Sequence, residues 1–198
     1  MSKDSSGDFE NSKMSTLDSL TRQVSEDRQI LSDLSAIMPN IELLEVTLDD
    51  LEELVAIRIA AMRESLERVG RFNPVRARER LVSSFRPDHA RLIVCGGERV
   101  GFYSLRATEA DLQLDHLYIL PSAQGQGIGS WVLRGLLVQS DRKGVPIRLG
   151  ALKESPANDF YRRHGFEVEG ESEWDIHYCR KPQQELYVNA EPTMLLPS

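Results

Sequence analysis

The sequence predicts an α/β (α+β) fold on a mixed sheet, from three observations. Short apolar runs alternate with stretches of three- and four-residue periodicity, in the order β-α-α-β-β-β-α-β-α-β-β. Gly96-Gly97 joins two strand-like runs as a tight hairpin, so antiparallel strands occupy the first part. A glycine-rich loop then opens into the helical run SWVLRGLLVQ and on to another strand, which makes a β-α-β crossover. At 198 residues and 40% hydrophobic content, one good core and a single domain are expected.

The elements follow in order. Residues 1–13 are polar and charged and are expected to be disordered. Leu17, Leu20, Val24, Leu31, Leu34 and Met38 then recur at helical steps, with Asp27 breaking the stripe. Two readings stand for this segment: a helix packing on the domain or a second chain, or a serine-rich linker with nascent helix. The organisation is therefore an N-terminal extension (1–39), a compact domain (40–182) and a loosely held tail (183–198). IELLEV reads as a strand, and Thr47 with Asp50 as a capping box before LEELVAIRIAAMRESLERV. Gly70 ends that helix, and Asn73-Pro74 starts VRARERLVSSF. RLIVC, RVGFYSLRA and LQLDHLYIL are strands. A helix from about Gly127 to Arg142 leads through Gly144 to the strand PIRLGAL. The helix PANDFYRRH stops at Gly165, and FEVEGE and WDIHYCRK are the last strands.

Composition narrows the function. A net charge of −7 disfavours non-specific binding to nucleic acid or an anionic membrane face. No run of about 18 apolar residues occurs, so no membrane span is expected. The N-terminus has no apolar segment of the secretory kind. Cys95 and Cys179 sit singly, which fits a reduced, cytoplasmic setting rather than a disulfide framework. His89, His116, His164 and His177 are scattered, so no metal site is expected. The chain also lacks the Gly-Lys-Ser/Thr phosphate loop and the Gly-x-Gly-x-x-Gly dinucleotide spacing.

The glycine loop carries the chemistry. It comprises Gln124, Gly125, Gln126, Gly127, Ile128 and Gly129, followed by Ser130. A strand, such a loop and a helix in succession expose backbone N–H groups at a positive helix end, where a phosphate or pyrophosphate binds. Glycines also simply make turns, so the loop needs its context. Two motifs supply it: Gln124-x-x-Gly127-x-Gly129 after HLYIL, and SPANDFYRRHGF at residues 155–166. On these motifs the chain resembles the GNAT superfamily of acyl-CoA N-acetyltransferases, over roughly residues 41–181. The resemblance implies a mixed, mostly antiparallel sheet of six to seven strands, with helices on both faces and a splayed central strand. It implies acetyl-CoA as the acetyl donor, with the amides of residues 125–130 on its pyrophosphate. It places Leu117, Tyr118 and Ile119 beside the pantetheine arm.

The same resemblance makes Tyr161 the catalytic side chain. A phenol with a pKa of about 10 is protonated at neutral pH and can serve the departing thiolate. Asn158, three residues earlier, shares its helix face and is either a ligand of the pantetheine amides or a first-turn amide. The family's asparagine six or seven residues before the tyrosine is replaced here by Ser155 and Glu154. An alkyl ammonium is neutral only about once in 2,500 at pH 7, so the acceptor needs a base. Asp115 is the preferred base, with His116 or a water as alternatives; alternation would put Asp115 and His116 on opposite faces.

The acceptor is expected between the first two helices and the last strands. There Arg58, Arg63, Glu64 and Arg71 could read a carboxylate or phosphate, and Trp174 with Asp175 an amine, although solvated helix faces and a strand-end aromatic explain them better. The sequence thus points to transfer of an acetyl group to a small primary amine. A non-catalytic acyl-CoA-binding module is the alternative class, and protein or aminoacyl-tRNA acetylation a further one. Families of this kind commonly dimerise, which leaves a homodimer open.

Overall fold

The computed structural model describes residues 40–183. The N-terminal extension with its apolar stripe, and the tail beyond Gln183, lie outside the described residues. β1 (Ile41–Glu45) runs into a 3-10 turn (Leu48–Asp50) and then α1 (Leu51–Arg68). At this junction the Thr47 N–H and hydroxyl donate to the Asp50 carboxylate at 2.8 and 2.9 Å. α2 (Pro74–Ser84) starts where Asn73 Oδ1 accepts from the Arg76 N–H at 3.0 Å, with proline where a helical N–H is dispensable.

β2 (Ala90–Cys95), β3 (Glu98–Ala107) and β4 (Leu112–Ile119) follow. α3 (Ile128–Lys143) crosses to β5 (Ile147–Leu152), and α4 (Ala157–Arg163) leads to β6 (Glu167–Glu171) and β7 (Asp175–Arg180). The sheet has seven strands in the order β1-β2-β3-β4-β5-β7-β6. The pairs β2–β3, β3–β4, β5–β7 and β6–β7 are antiparallel, and only β4–β5 is parallel among those with a described register.

Helices cover both faces. Tyr118 and Ile119 are neighbours on β4 and point to opposite sides. Tyr118 packs against the cluster of Leu54, Leu81, Leu92 and Phe102 beneath α1 and α2. Ile119 lies 3.9 Å from where a Cβ on Gly129 of α3 would stand. Ile128, Val132, Leu133 and Leu136, spaced by helical steps, bury the sheet-facing stripe of α3. Each such aliphatic side chain contributes about 1.5–3 kcal/mol on burial.

The central strand splays. β4 pairs with β5 only at Leu112–Ile147, Gln113–Arg148 and Leu114–Leu149. Beyond Leu114, β4 stays on β3 while β5 follows β7. One end is clamped: Arg148 reaches Asp111 at 2.9 Å and Glu169 at 2.9 and 3.1 Å, tying the start of β4 to β5 and β6. In the middle of the strand, just past the last pairing with β5, β4 carries a bulge. Ser104 faces His116 and Leu105 faces Leu114, so Asp115 is an extra residue. A bulge bends its strand and increases the twist. Strict alternation of Asp115 and His116 is therefore interrupted, and the Asp115 carboxylate leans to Arg106 at 3.5 Å.

Candidate active site

The glycine loop forms because two of its residues adopt a backbone that side chains resist. Gly125 and Gly127 have φ of 76° and 80°. Gln124 Nε2 donates to the Ile119 carbonyl at 2.8 Å, and Gln126 Nε2 to the Ser122 carbonyl at 3.1 Å, tacking the loop to the end of β4. The first α3 amide with a carbonyl is that of Trp131, to Gly127 at 2.9 Å. The N–H groups of residues 125–130 thus have no backbone acceptor among the described residues. The first turn of α3 holds no acidic side chain, so nothing opposes an anion there.

Beside this loop, the β5-facing edge of Leu117, Tyr118 and Ile119 has no strand partner among the described residues. These three residues are half-buried. At Gly101, opposite Ile119, an added Cβ would collide with the Tyr118 carbonyl, so β3 approaches the open segment closely only with glycine. The Phe160 ring lies against Gly129, which brings α4 up to the head of α3.

Tyr161 is buried among aromatic rings: Phe160 at 5.2 Å, Phe166 at 5.7 Å and Tyr178 at 6.2 Å between centroids. Burial, and then Tyr118 close by, push its phenol above the ordinary value, so it stays protonated at neutral pH. Asn158 is buried one helical turn before it. Both Nδ2 hydrogens are used, on the carbonyls of Leu152 (3.0 Å) and Ser155 (2.9 Å), and Oδ1 accepts from the Tyr178 hydroxyl at 3.0 Å. The Asn158 amide therefore ties α4 to β5 and β7. Tyr178 was not legible as a site residue, because its partner lies 20 residues away.

His116 stacks on Tyr118 at 5.6 Å. Burial and then the nearby Arg58 guanidinium lower its pKa to about 4, so the ring is neutral at pH 7. Of the residues expected near an acceptor, several are partnered. Arg63 pairs with Glu67 at 3.3 Å, Glu64 with Arg68 at 2.7 Å, and Arg71 lies 3.5 Å over the Trp174 ring. Arg58 differs: it is buried and donates to the Ala77 carbonyl at 2.8 Å.

A cleft of about 450 Å³ opens between Arg68 at the end of α1, the Glu154–Ser155 turn, α4 and Ile176. A second of about 300 Å³ shares Glu154 with it, between Val69 and Trp174. Of the residues expected near an acceptor, Trp174 lines the second cleft, and Arg58, Arg63, Glu64, Arg71 and Asp175 line neither. Among the described residues no three His, Cys, Asp or Glu side chains group as metal ligands, and no helix is long and apolar enough to cross a membrane.

The comparisons with known proteins agree with this fold. Residues 88–168 match the family model described as an acetyltransferase (GNAT) domain. The PaiA N-acetyltransferase of Thermoplasma acidophilum, solved with coenzyme A, shares the fold at a TM-score of 0.60 and 18% identity, over 72% of this chain and 99% of that one. An acetyltransferase of Thermus thermophilus gives 0.58 and 21%, over 71% and 96%. The ribosomal-protein-S18-alanine N-acetyltransferase of Escherichia coli gives 0.55 and 16%, over 74% and 99%. A search of the curated proteins finds no significant match.

Proposed function

We propose that the chain, whose residues 88–168 match the acetyltransferase (GNAT) domain model, is an acyltransferase that transfers acetyl from acetyl-CoA directly to a primary amine. One observation carries this reading. The unpaired edge of β4 ends in a loop whose successive amides are free of backbone acceptors, at a helix head without acidic residues. That arrangement fits a thioester arm laid along a strand with its pyrophosphate at the helix end.

Bound acetyl-CoA supplies the activated acyl group. The amides of residues 125–130 hold its pyrophosphate, each charge-assisted bond worth about 1.5–3 kcal/mol. The exposed edge of Leu117, Tyr118 and Ile119 aligns the arm, and a backbone N–H there polarises the carbonyl. Asp115 accepts the ammonium proton through a water, since its carboxylate leans to Arg106. As the N–C bond forms and the C–S bond breaks, the Tyr161 hydroxyl donates to the departing sulfur. A thiol has a pKa of about 8.5, below that of this buried phenol, so Tyr161 acts chiefly by a hydrogen bond to the thiolate. Asn158 positions Tyr161 rather than touching the pantetheine, because both its N–H donors are used. The products are the N-acetyl amine and free coenzyme A.

Titrating acetyl-CoA calorimetrically into the protein tests the first half, and absence of heat would sink it. Tyr161→Phe tests the second. It should lower kcat by about 100-fold, with the KM for acetyl-CoA nearly unchanged. A rate equal to wild type across pH removes Tyr161 from the mechanism.

A further inference from the structure

Among the described residues, three buried side-chain polar atoms lack any hydrogen-bond partner: Arg58 Nε and both ring nitrogens of His116. They belong to Arg58 on α1 and His116 on β4, close enough for the guanidinium to act on the ring. Arg58 is 7% exposed, has no carboxylate within ion-pair distance among the described residues, and lies 5.8 Å from the Tyr118 ring on which His116 stacks. The guanidinium has the Ala77 carbonyl and an interaction with the Tyr118 hydroxyl but no carboxylate, and buried charges are otherwise paired. The position is informative too. Tyr118 lies on the open segment of β4, where the thioester would be, and its hydroxyl feels Arg58, Asp175 and Arg80.

We propose that Arg58, assisted by His116, binds an oxyanion carried by the acceptor, so the acceptors are small amines that also bear a carboxylate or a phosphate. This rests on the acyl-transfer reading and narrows it. The guanidinium presents Nε–H to the oxyanion while Nη1 stays on the Ala77 carbonyl, and a neutral His116 ring offers one further N–H. Asp175, the carboxylate near Tyr118, suits the ammonium end of the same molecule. Because Arg58 stands close to the open segment, oxyanion and amine would be a few bonds apart.

The test uses the full chain saturated with coenzyme A, which occupies the glycine loop and keeps other anions off it. Probe pairs differ only in the anion: tyramine against tyrosine, cadaverine against lysine, ethanolamine against phosphoethanolamine. Calorimetry reads binding, and thiol release from acetyl-CoA reads turnover. At least one anionic member should bind about 10-fold or more tighter than its partner, the effect of one charge-assisted contact. Arg58→Gln should erase that preference, and Arg58→Lys should keep part of it; melting curves of both variants verify folding. The carboxylate and phosphate arms show which oxyanion is read. Equal affinities within every pair, no heat from any anionic member, or a preference that survives Arg58→Gln overturns the proposal. Coenzyme A binding is measured separately. Its failure would sink the acyl-transfer reading; the acceptor titrations would then be made on the chain alone, where loss of the anion preference in Arg58→Gln still separates Arg58 from the glycine loop.

Discussion

Arg58 and Arg180 are both almost wholly buried, yet their surroundings are opposite. Arg180, on β7, meets both oxygens of Asp141 on α3 at 2.8 and 3.2 Å, and the Gln183 N–H adds a bond of 2.7 Å to the same carboxylate. Arg58, on α1, has the Ala77 carbonyl and the nearby Tyr118 hydroxyl, both neutral, and no carboxylate among the described residues. The first charge is compensated within the fold and links the last strand to α3. The second is left for something outside it. A buried charge with a complete set of partners reports on folding, and one without them reports on binding.

Breaking the compensated site should have the largest effect. Arg180→Met leaves Asp141 buried without its cation, and should lower unfolding free energy by about 3–5 kcal/mol in denaturant titration. A loss below about 1 kcal/mol would make that pair a surface-like one.

Acid titration separates the two regions by pH. His116, beside Arg58, has its folded pKa lowered from 6.5 to about 4. Between those values the unfolded chain takes up a proton that the folded chain refuses, so stability falls as pH drops from 6.5 towards 4. Burial alone would raise the Asp141 carboxyl, but Arg180 and the Gln183 N–H bring it below its ordinary 3.8. Its contribution is present above 3.8 and is lost only as pH falls further. His116→Leu should flatten the melting-temperature profile between pH 6.5 and about 4 and leave the lower limb in place. An unchanged upper limb would assign that acid sensitivity to other groups.

The smallest effect sharpens the contrast most. Arg58→Met removes an uncompensated charge together with one hydrogen bond, so stability should stay within about 1 kcal/mol of wild type, or rise. A loss as large as that of Arg180→Met would make Arg58 a structural residue.

What could be read from the chain was local. The capping pair Thr47–Asp50, the Asn73-Pro74 helix start and the Gly96-Gly97 hairpin each act over a few residues, and each formed where expected. The loop at residues 124–130 was legible because glycine at a positive φ needs no distant partner. Asp115 and His116 show the limit. Their alternation was the natural expectation, and the bulge that interrupts it exists only against β3. Asn158 shows it again, since its carbonyl oxygen is claimed by a tyrosine two elements later.

By itself, then, the sequence determined the order of elements, the glycine loop at the head of a helix and the resemblance to the GNAT superfamily, because these depend on short-range backbone preferences and compact motifs. The tertiary structure alone decided where β4 leaves β5, which polar side chains are used up, and which buried arginine has no counter-charge. Those properties depend on partners 19 to 39 residues apart, as between Arg58 and Ala77 or Arg180 and Asp141. Compensation of charge belongs to the packed interior, and no single stretch of chain contains both members of the pair.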